Sequence, residues 1–201
     1  MIYLASRSPR RRELLMQIGV KFEPLLFREG NRQDAETDEA VRPGETPDDY
    51  VRRVTQMKCE AAWQRVVMRR GLRRTPVLAA DTTVELAGEI LGKPADREDA
   101  ERMLRLLAGT EHRVLTAVAV KLEQRMEMAV SESRVLFAPV DDARIAAYVQ
   151  SGEPFDKAGG YAIQGRAAAF IQRVEGSYTG VMGLPLYETA ELLRLFGIPV
   201  P

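Results

Sequence analysis

The sequence predicts an α/β fold in one domain spanning residues 1–201, and three observations carry that reading. Short apolar runs of strand length alternate with capped segments of helical period. The first of these units reads strand, helix, strand, the opening of an α/β protein. With 201 residues, 45% of them apolar, the chain can also bury one substantial core.

Taken in order, Ile2 to Ala5 is a short buried strand. Ser8 is placed to cap a helix, and Pro9 stands at its first position, where a missing N–H costs nothing. Leu14, Leu15 and Ile18 share one face of that helix, and Gly19 ends it. Val20 to Phe27 is a second strand-length run. Arg28 to Glu45 has no periodicity, carries Asp34, Glu36, Asp38 and Glu39, and reads as a mobile loop. "TPDDY" from Thr46 starts a helix with a Thr cap, Pro at its first position and two acids suited to the positive helix end; it runs to Arg70 and stops at Gly71. Pro76 to Ala80 is an apolar strand that ends at Asp81, and "LAGE" at 86–89 turns the chain back into "ILGKP" at 90–94. Asp96 caps a helix through Leu107. Val114 to Leu122 and Ser131 to Phe137 read as paired strands. Asp141 starts a short helix to Gln150, Ala168 to Val174 and Thr179 to Met182 are strand-like, and a last helix spans Pro185 to Phe196.

Composition excludes several classes. Lys plus Arg equals Asp plus Glu at 29 each, so no overall field favours a polyanion, and nucleic acid is not an expected partner. Any phosphate must be met by a local cluster of cations. The single cysteine, Cys59, cannot form an intramolecular disulfide and fits a reducing compartment. The opening "MIYLASRSPRR" is not a signal peptide, and no stretch approaches the roughly 18 apolar residues that span a bilayer. The expectation is a cytoplasmic protein without membrane attachment.

Four stretches carry candidate chemistry. "SRSPRRRELL" crowds Arg7, Arg10, Arg11 and Arg12 around a helix start. That end of a helix holds about half a positive charge, so each extra cation costs roughly 0.3–1 kcal/mol unless an anion offsets it. The same N–H groups, with planar guanidinium forks and the Ser6 and Ser8 hydroxyls, form a phosphate site. Arg10 and Arg11 are the candidates for it, while Arg7 and Arg12 are expected to face solvent. "VLAADTTV" sets Asp81 at the expected strand end, either as a metal ligand or general base or as an ordinary turn-starting Asp. Lys93 in "GKP" is either a phosphate partner or a solvated lysine. "DKAGGYAIQG" at 156–165 combines close-approach glycines with Gln164, whose amide both donates and accepts and so can read a nucleobase edge; the alternative is a Gly-rich hairpin with an exposed Gln. His112 has no second His, Cys or paired Ser and is expected to be a structural or surface residue.

Together, "LASRSPRR", "KCEAA", "AADTTV", "LGKP", "DKAGGYAIQG" and "GSYTGVMGLPLYET" resemble, in order and from Leu4 to Thr189, the Maf family of nucleoside triphosphate pyrophosphatases. The resemblance implies an elongated mixed sheet of the inosine-triphosphatase type, with two α/β lobes flanking a substrate cleft. It implies hydrolysis of a nucleoside triphosphate to the monophosphate and pyrophosphate with a divalent metal, Mg²⁺ or Mn²⁺, and it is compatible with a homodimer. Asp81 falls on the family's catalytic acid, and Ser6, Arg10, Arg11, Lys58 and Lys93 fall on phosphate-binding positions. "DKAGGYAIQG" is similar to the branch acting on dTTP and UTP rather than the sister branch acting on 7-methyl-GTP; there, the positions of Arg10, Thr82 and Gln164 are tied to substrate choice. The metal would be held by Asp81 with Glu39, for which Asp38 is the rival, because the 28–45 loop is longer than usual. Arg7 stands where the family usually has a small residue. The rival class is a nucleotide-sensing regulator of septum formation that does not turn over its ligand.

Overall fold

A computed structural model describes residues 1–25 and 38–200. Asp34 and Glu36 of the acidic loop lie outside the described residues. Seven strands form one mixed sheet with the order β2-β1-β3-β5-β6-β7, and β4 adds to β3. β1 (Ile2–Leu4) pairs in parallel with β2 (Phe22–Pro24) and with β3 (Val77–Leu86). β4 (Glu89–Leu91), β5 (Glu111–Leu122), β6 (Arg125–Phe137) and β7 (Ile171–Glu175) all join antiparallel. β3 runs past its expected end at Ala80 to Leu86, and β6 starts at Arg125 rather than Ser131, because pairing with β5 carries both ladders on.

The helix starts follow from the caps. Ser8 leads α1 (Pro9–Gln17), and its side chain accepts from the Arg11 N–H. Thr46 does the same for α2 (Pro47–Met68) through the Asp49 N–H. Asp96 caps α3 (Arg97–Leu107) and Asp141 caps α4 (Asp142–Gln150). Two short segments differ from expectation. Residues 178–182 form a helix, α5 (Tyr178–Met182), not a strand, because the Ser177 side chain caps the Gly180 N–H and diverts the backbone. The run from Ala168 begins in a 3-10 turn (Arg166–Phe170) before β7. α6 (Leu186–Leu195) completes the chain.

α2 lies on one face of the sheet. Its buried stripe of Val51, Val54, Cys59, Ala62, Trp63 and Val66 meets Val77, Ala79 and Ala119, whose small side chains let the helix approach. Leu14 and Leu15 of α1 and Leu192 and Leu193 of α6 cover Leu78, Ala80, Val118 and Val120 on the other face. A separate apolar cluster surrounds the far ends of β3 and β5, where α3 and α4 meet Val84, Val114, Phe137 and Tyr161. Among the described residues no helix is long and apolar enough to cross a membrane.

One feature of the ladder positions the site. β1 accompanies β3 only at Val77 and Leu78, and β4 begins opposite Val84, whereas β5 pairs with β3 from Val77 to Glu85. Residues 79–83 therefore have no strand neighbour on the β1 side among the described residues. The chain leaves the sheet at the Ser6–Pro9 turn and opens a gap there.

Candidate functional site

A cleft of about 700 Å³ lies over this gap and is lined by Ser6, Arg10, Arg11, Asp81, Lys93 and Gln164 among others. Its size suits a nucleotide-sized ligand. Asp81 sits mid-strand rather than at a strand end, since β3 continues for five more residues to Leu86. The polar run Asp81–Thr83 is fully laddered to β5 and so reads as an interruption only in sequence.

On the α2 side, the Lys58 ammonium donates to Asp81 Oδ1 at 2.6 Å and lies 2.9 Å from Glu39 Oε1. Asp81 Oδ2 has no hydrogen-bond partner among the described residues. Glu39, not Asp38, enters the cleft; the Asp38 carboxylate instead accepts from the Ala40 N–H. Burial alone would raise the Glu39 carboxyl, but the charge and hydrogen bond of Lys58, with Lys93 and Arg11, outweigh it and hold the group below its ordinary range. Tyr50 lines the same wall; burial, then Asp81 and Glu39, push its phenol up to about 12, so it stays neutral.

On the opposite face of β3, Arg11 is fully organised by the protein. Its Nε donates to the Gly183 carbonyl at 2.7 Å, one terminal nitrogen to Ser6 Oγ and the other to Thr82 Oγ1 at 3.2 Å. Burial lowers the guanidinium from its ordinary value; Asp81 offsets this, and neighbouring Arg10 adds to it. Thr82 is joined to Thr116 at 3.0 Å, and Thr116 donates to the Gly180 carbonyl at 2.8 Å. Arg10 and Lys93 line the cleft and form no ion pair among the described residues. Arg7 is exposed but also lines the cleft, so it does not simply point away. Arg12 corrects the expectation of a solvent-facing side chain: it is half-buried, and its Nε is shielded from water.

The glycine-rich stretch folds as tight turns rather than a hairpin. The Gly159 N–H bonds to the Gly92 carbonyl at 2.9 Å, tying it to the loop that carries Lys93. Gly159 has φ +66°, and a Cβ there would stand 3.0 Å from the Val84 side chain. The turn places exposed Gln164 on the cleft wall, and its amide has no partner among the described residues. His112 is buried and bonds Tyr161 Oη at 2.8 Å, behind the cleft wall.

Sequence reasoning missed Tyr50 and Arg53, which hold the Glu39 segment. Tyr50 Oη donates to the Glu39 carbonyl at 3.0 Å, and Arg53 donates to the carbonyls of Asp38 and Ala40 at 2.8 and 2.9 Å. The available signal was spacing: Tyr50 and Arg53 stand three residues apart on one helical face. Thr116 and Glu153 were also missed, and no local signal marks them, because much of what they touch is backbone far along the chain.

The fold and site define an α/β protein with a cation-rich cleft built around a Lys-bound aspartate. The chain belongs to the family described as Maf-like protein, whose profile matches residues 1–196. Relatives named "dTTP/UTP pyrophosphatase" include one from Cupriavidus metallidurans, 58% identical over 98% of this chain and 97% of its own length. Those from Ralstonia nicotianae (61%; 96% and 92%) and Aromatoleum aromaticum (56%; 99% and 97%) carry the same name. A solved structure, that of the Staphylococcus aureus Ham1 protein, superposes with a TM-score of 0.45 at 17% identity, covering 68% of this chain and 71% of that one.

Proposed function

We propose that this chain hydrolyses dTTP and UTP, and related modified pyrimidine nucleotides, to the monophosphate and pyrophosphate, as a house-cleaning enzyme of the cytoplasm. Residues 1–201 act as one domain whose two α/β lobes close on the nucleotide. The observation that carries the reading is the Lys58–Asp81 contact of 2.6 Å, set in a cleft where Arg10 and Lys93 form no ion pair among the described residues. The names of the relatives supply the substrate.

Arg10, Arg11, Lys58, Lys93 and Ser6 neutralise and orient the triphosphate, which is most of what phosphoryl chemistry asks of a protein. Two carboxylates around one ammonium form a hard-oxygen donor set of the kind that holds Mg²⁺ or Mn²⁺ together with substrate phosphates, although no cluster of three His, Cys, Asp or Glu occurs among the described residues. Asp81 and Glu39 would hold that ion, which supplies further charge neutralisation on the phosphates. Asp81 Oδ2 accepts a proton from water as the water oxygen bonds to the α-phosphorus. The bond from that phosphorus to the bridging oxygen breaks, and pyrophosphate leaves with the electron pair. Gln164 and the Gly159–Gly165 backbone read the pyrimidine, and Arg10 and Thr82 tune the choice.

Asp81→Asn tests this reading. It should lower kcat for dTTP by at least the roughly 10²–10⁴-fold typical of general-base loss. Near-wild-type pyrophosphate release from a folded variant would overturn it and favour a nucleotide sensor whose Asp81 has no chemical role.

A further inference from the structure

We infer that Glu153 is a positioning residue for nucleobase selection, which fixes where Gln164 stands through the backbone of the turn around it. The inference rests on the reading of Gln164 given above. Gln164 has no side-chain anchor among the described residues, so its reach into the cleft is set by its backbone. That backbone is held on both sides. Two residues on, the Arg166 N–H donates to Glu153 Oε2 at 3.0 Å, and the Ala167 N–H reaches Oε1 at 3.5 Å. Tyr148 Oη donates to the same Oε1 at 3.2 Å. The Gly165 N–H bonds the Ala162 carbonyl at 3.0 Å and closes the turn.

Glu153 forms no ion pair among the described residues and does not line the cleft. Its carboxylate acts as a cap delivered from outside the segment, since Gly165, at the cap position of the 3-10 turn, has no side chain to do so. The residue type at 165 follows from this contact: a Cβ on Gly165 would lie 2.1 Å from Glu153 Oε1 and 2.6 Å from its Cδ. Those atoms are the tip of a flexible side chain, so a methyl group there displaces the carboxylate rather than the fold.

The experiment compares Glu153→Ala, Glu153→Gln, Gly165→Ala and Gln164→Ala for hydrolysis of dTTP and 7-methyl-GTP, with inhibition by inorganic tripolyphosphate as a probe that has no base. A misplacement of about 1 Å costs on the order of 10²-fold. Glu153→Ala should therefore raise KM for dTTP and lower its kcat/KM by about that factor, more than for 7-methyl-GTP, with tripolyphosphate inhibition as in the wild type. Gly165→Ala should reproduce the change of ratio, and Glu153→Gln, which keeps an acceptor oxygen, should restore part of it. Equal losses for both nucleotides and for tripolyphosphate would make Glu153 a structural cap only and overturn the inference. If Gln164→Ala alone shifts the ratio, the inference falls and the base-reading role of Gln164 stands. If Gln164→Ala costs both nucleotides equally, that role falls and the inference with it.

Discussion

At the residue scale, the arginines around α1 have separate roles. Arg11 is locked by Gly183, Ser6 and Thr82, so its charge is fixed in place before any ligand arrives. Arg10 and Lys93 line the cleft without such hydrogen bonds among the described residues. Preorganised charge costs no reorganisation when a transition state forms, and the proposed function gives Arg11 that part. His112 shows the opposite economy, a titratable group kept neutral. Burial drops its pKa from 6.5 to about 4, its Nδ1 lies buried without a partner among the described residues, and it packs edge-on to Phe137 and Tyr161. Between those two pH values the unfolded chain takes up a proton that the folded chain refuses. Stability is therefore full above about pH 6.5 and falls as pH drops toward 4, by roughly 3 kcal/mol at most. His112→Phe should flatten that slope in urea-unfolding midpoints compared between pH 7 and pH 4.5; an unchanged slope would show that His112 is not the group responsible.

At the element scale, α2 is both a packing unit and a scaffold for chemistry. Its buried stripe fixes the helix on β3, and that fixes Lys58 against Asp81. Its upper turns take three successive carbonyls, Asp38, Glu39 and Ala40, through Arg53 and Tyr50. Arg53 can do this while also pairing Glu45, with Oε2 at 2.8 Å, because a guanidinium carries five donors in a planar fork. Arg53→Lys keeps the charge and loses the fork. It should speed amide exchange across residues 38–45 and raise the metal concentration for half-maximal turnover about 10-fold, the low end of what outer-shell changes cost. Exchange and metal dependence both unchanged would show that the segment holds itself. This clamp was not legible in the sequence: the acidic loop has no period, and Glu39 differs from Asp38 only in which one the clamp turns inward.

At the scale of the whole molecule, the neutral overall charge conceals a separation of charge. Arg7, Arg10, Arg11, Lys58, Lys93 and Lys157 gather on one cleft, against the three acids Glu39, Asp81 and Asp156. The repulsion among those cations is relieved by a bound triphosphate and is screened within about 10 Å at 0.1 M salt. Binding of dTTP with Mg²⁺ at a hundredfold excess over Kd should stabilise the fold by about 2.7 kcal/mol. For a chain of this length that is a rise in Tm of roughly 5–10 °C. The rise should be largest in low salt; thermal scanning across ionic strength that shows no shift at any salt would refute the cleft as a triphosphate site.

The sequence by itself determined the element order, the helix caps and the candidate set, because caps, turn residues and apolar period act over a few neighbours. Ser8, Thr46, Asp96 and Asp141 cap the helices they were expected to cap. It misread 178–182, where a local cap competes with β-branched residues, and it ended β3 too early, because pairing with β5 is not a local property. Only the tertiary structure decided that Asp81 faces Lys58 while Thr82 faces Arg11, that Glu39 is the inward acid, and that a gap between β1 and β4 opens the cleft. Each of these depends on contacts between segments distant in the chain, whose energies appear only when the sheet has formed.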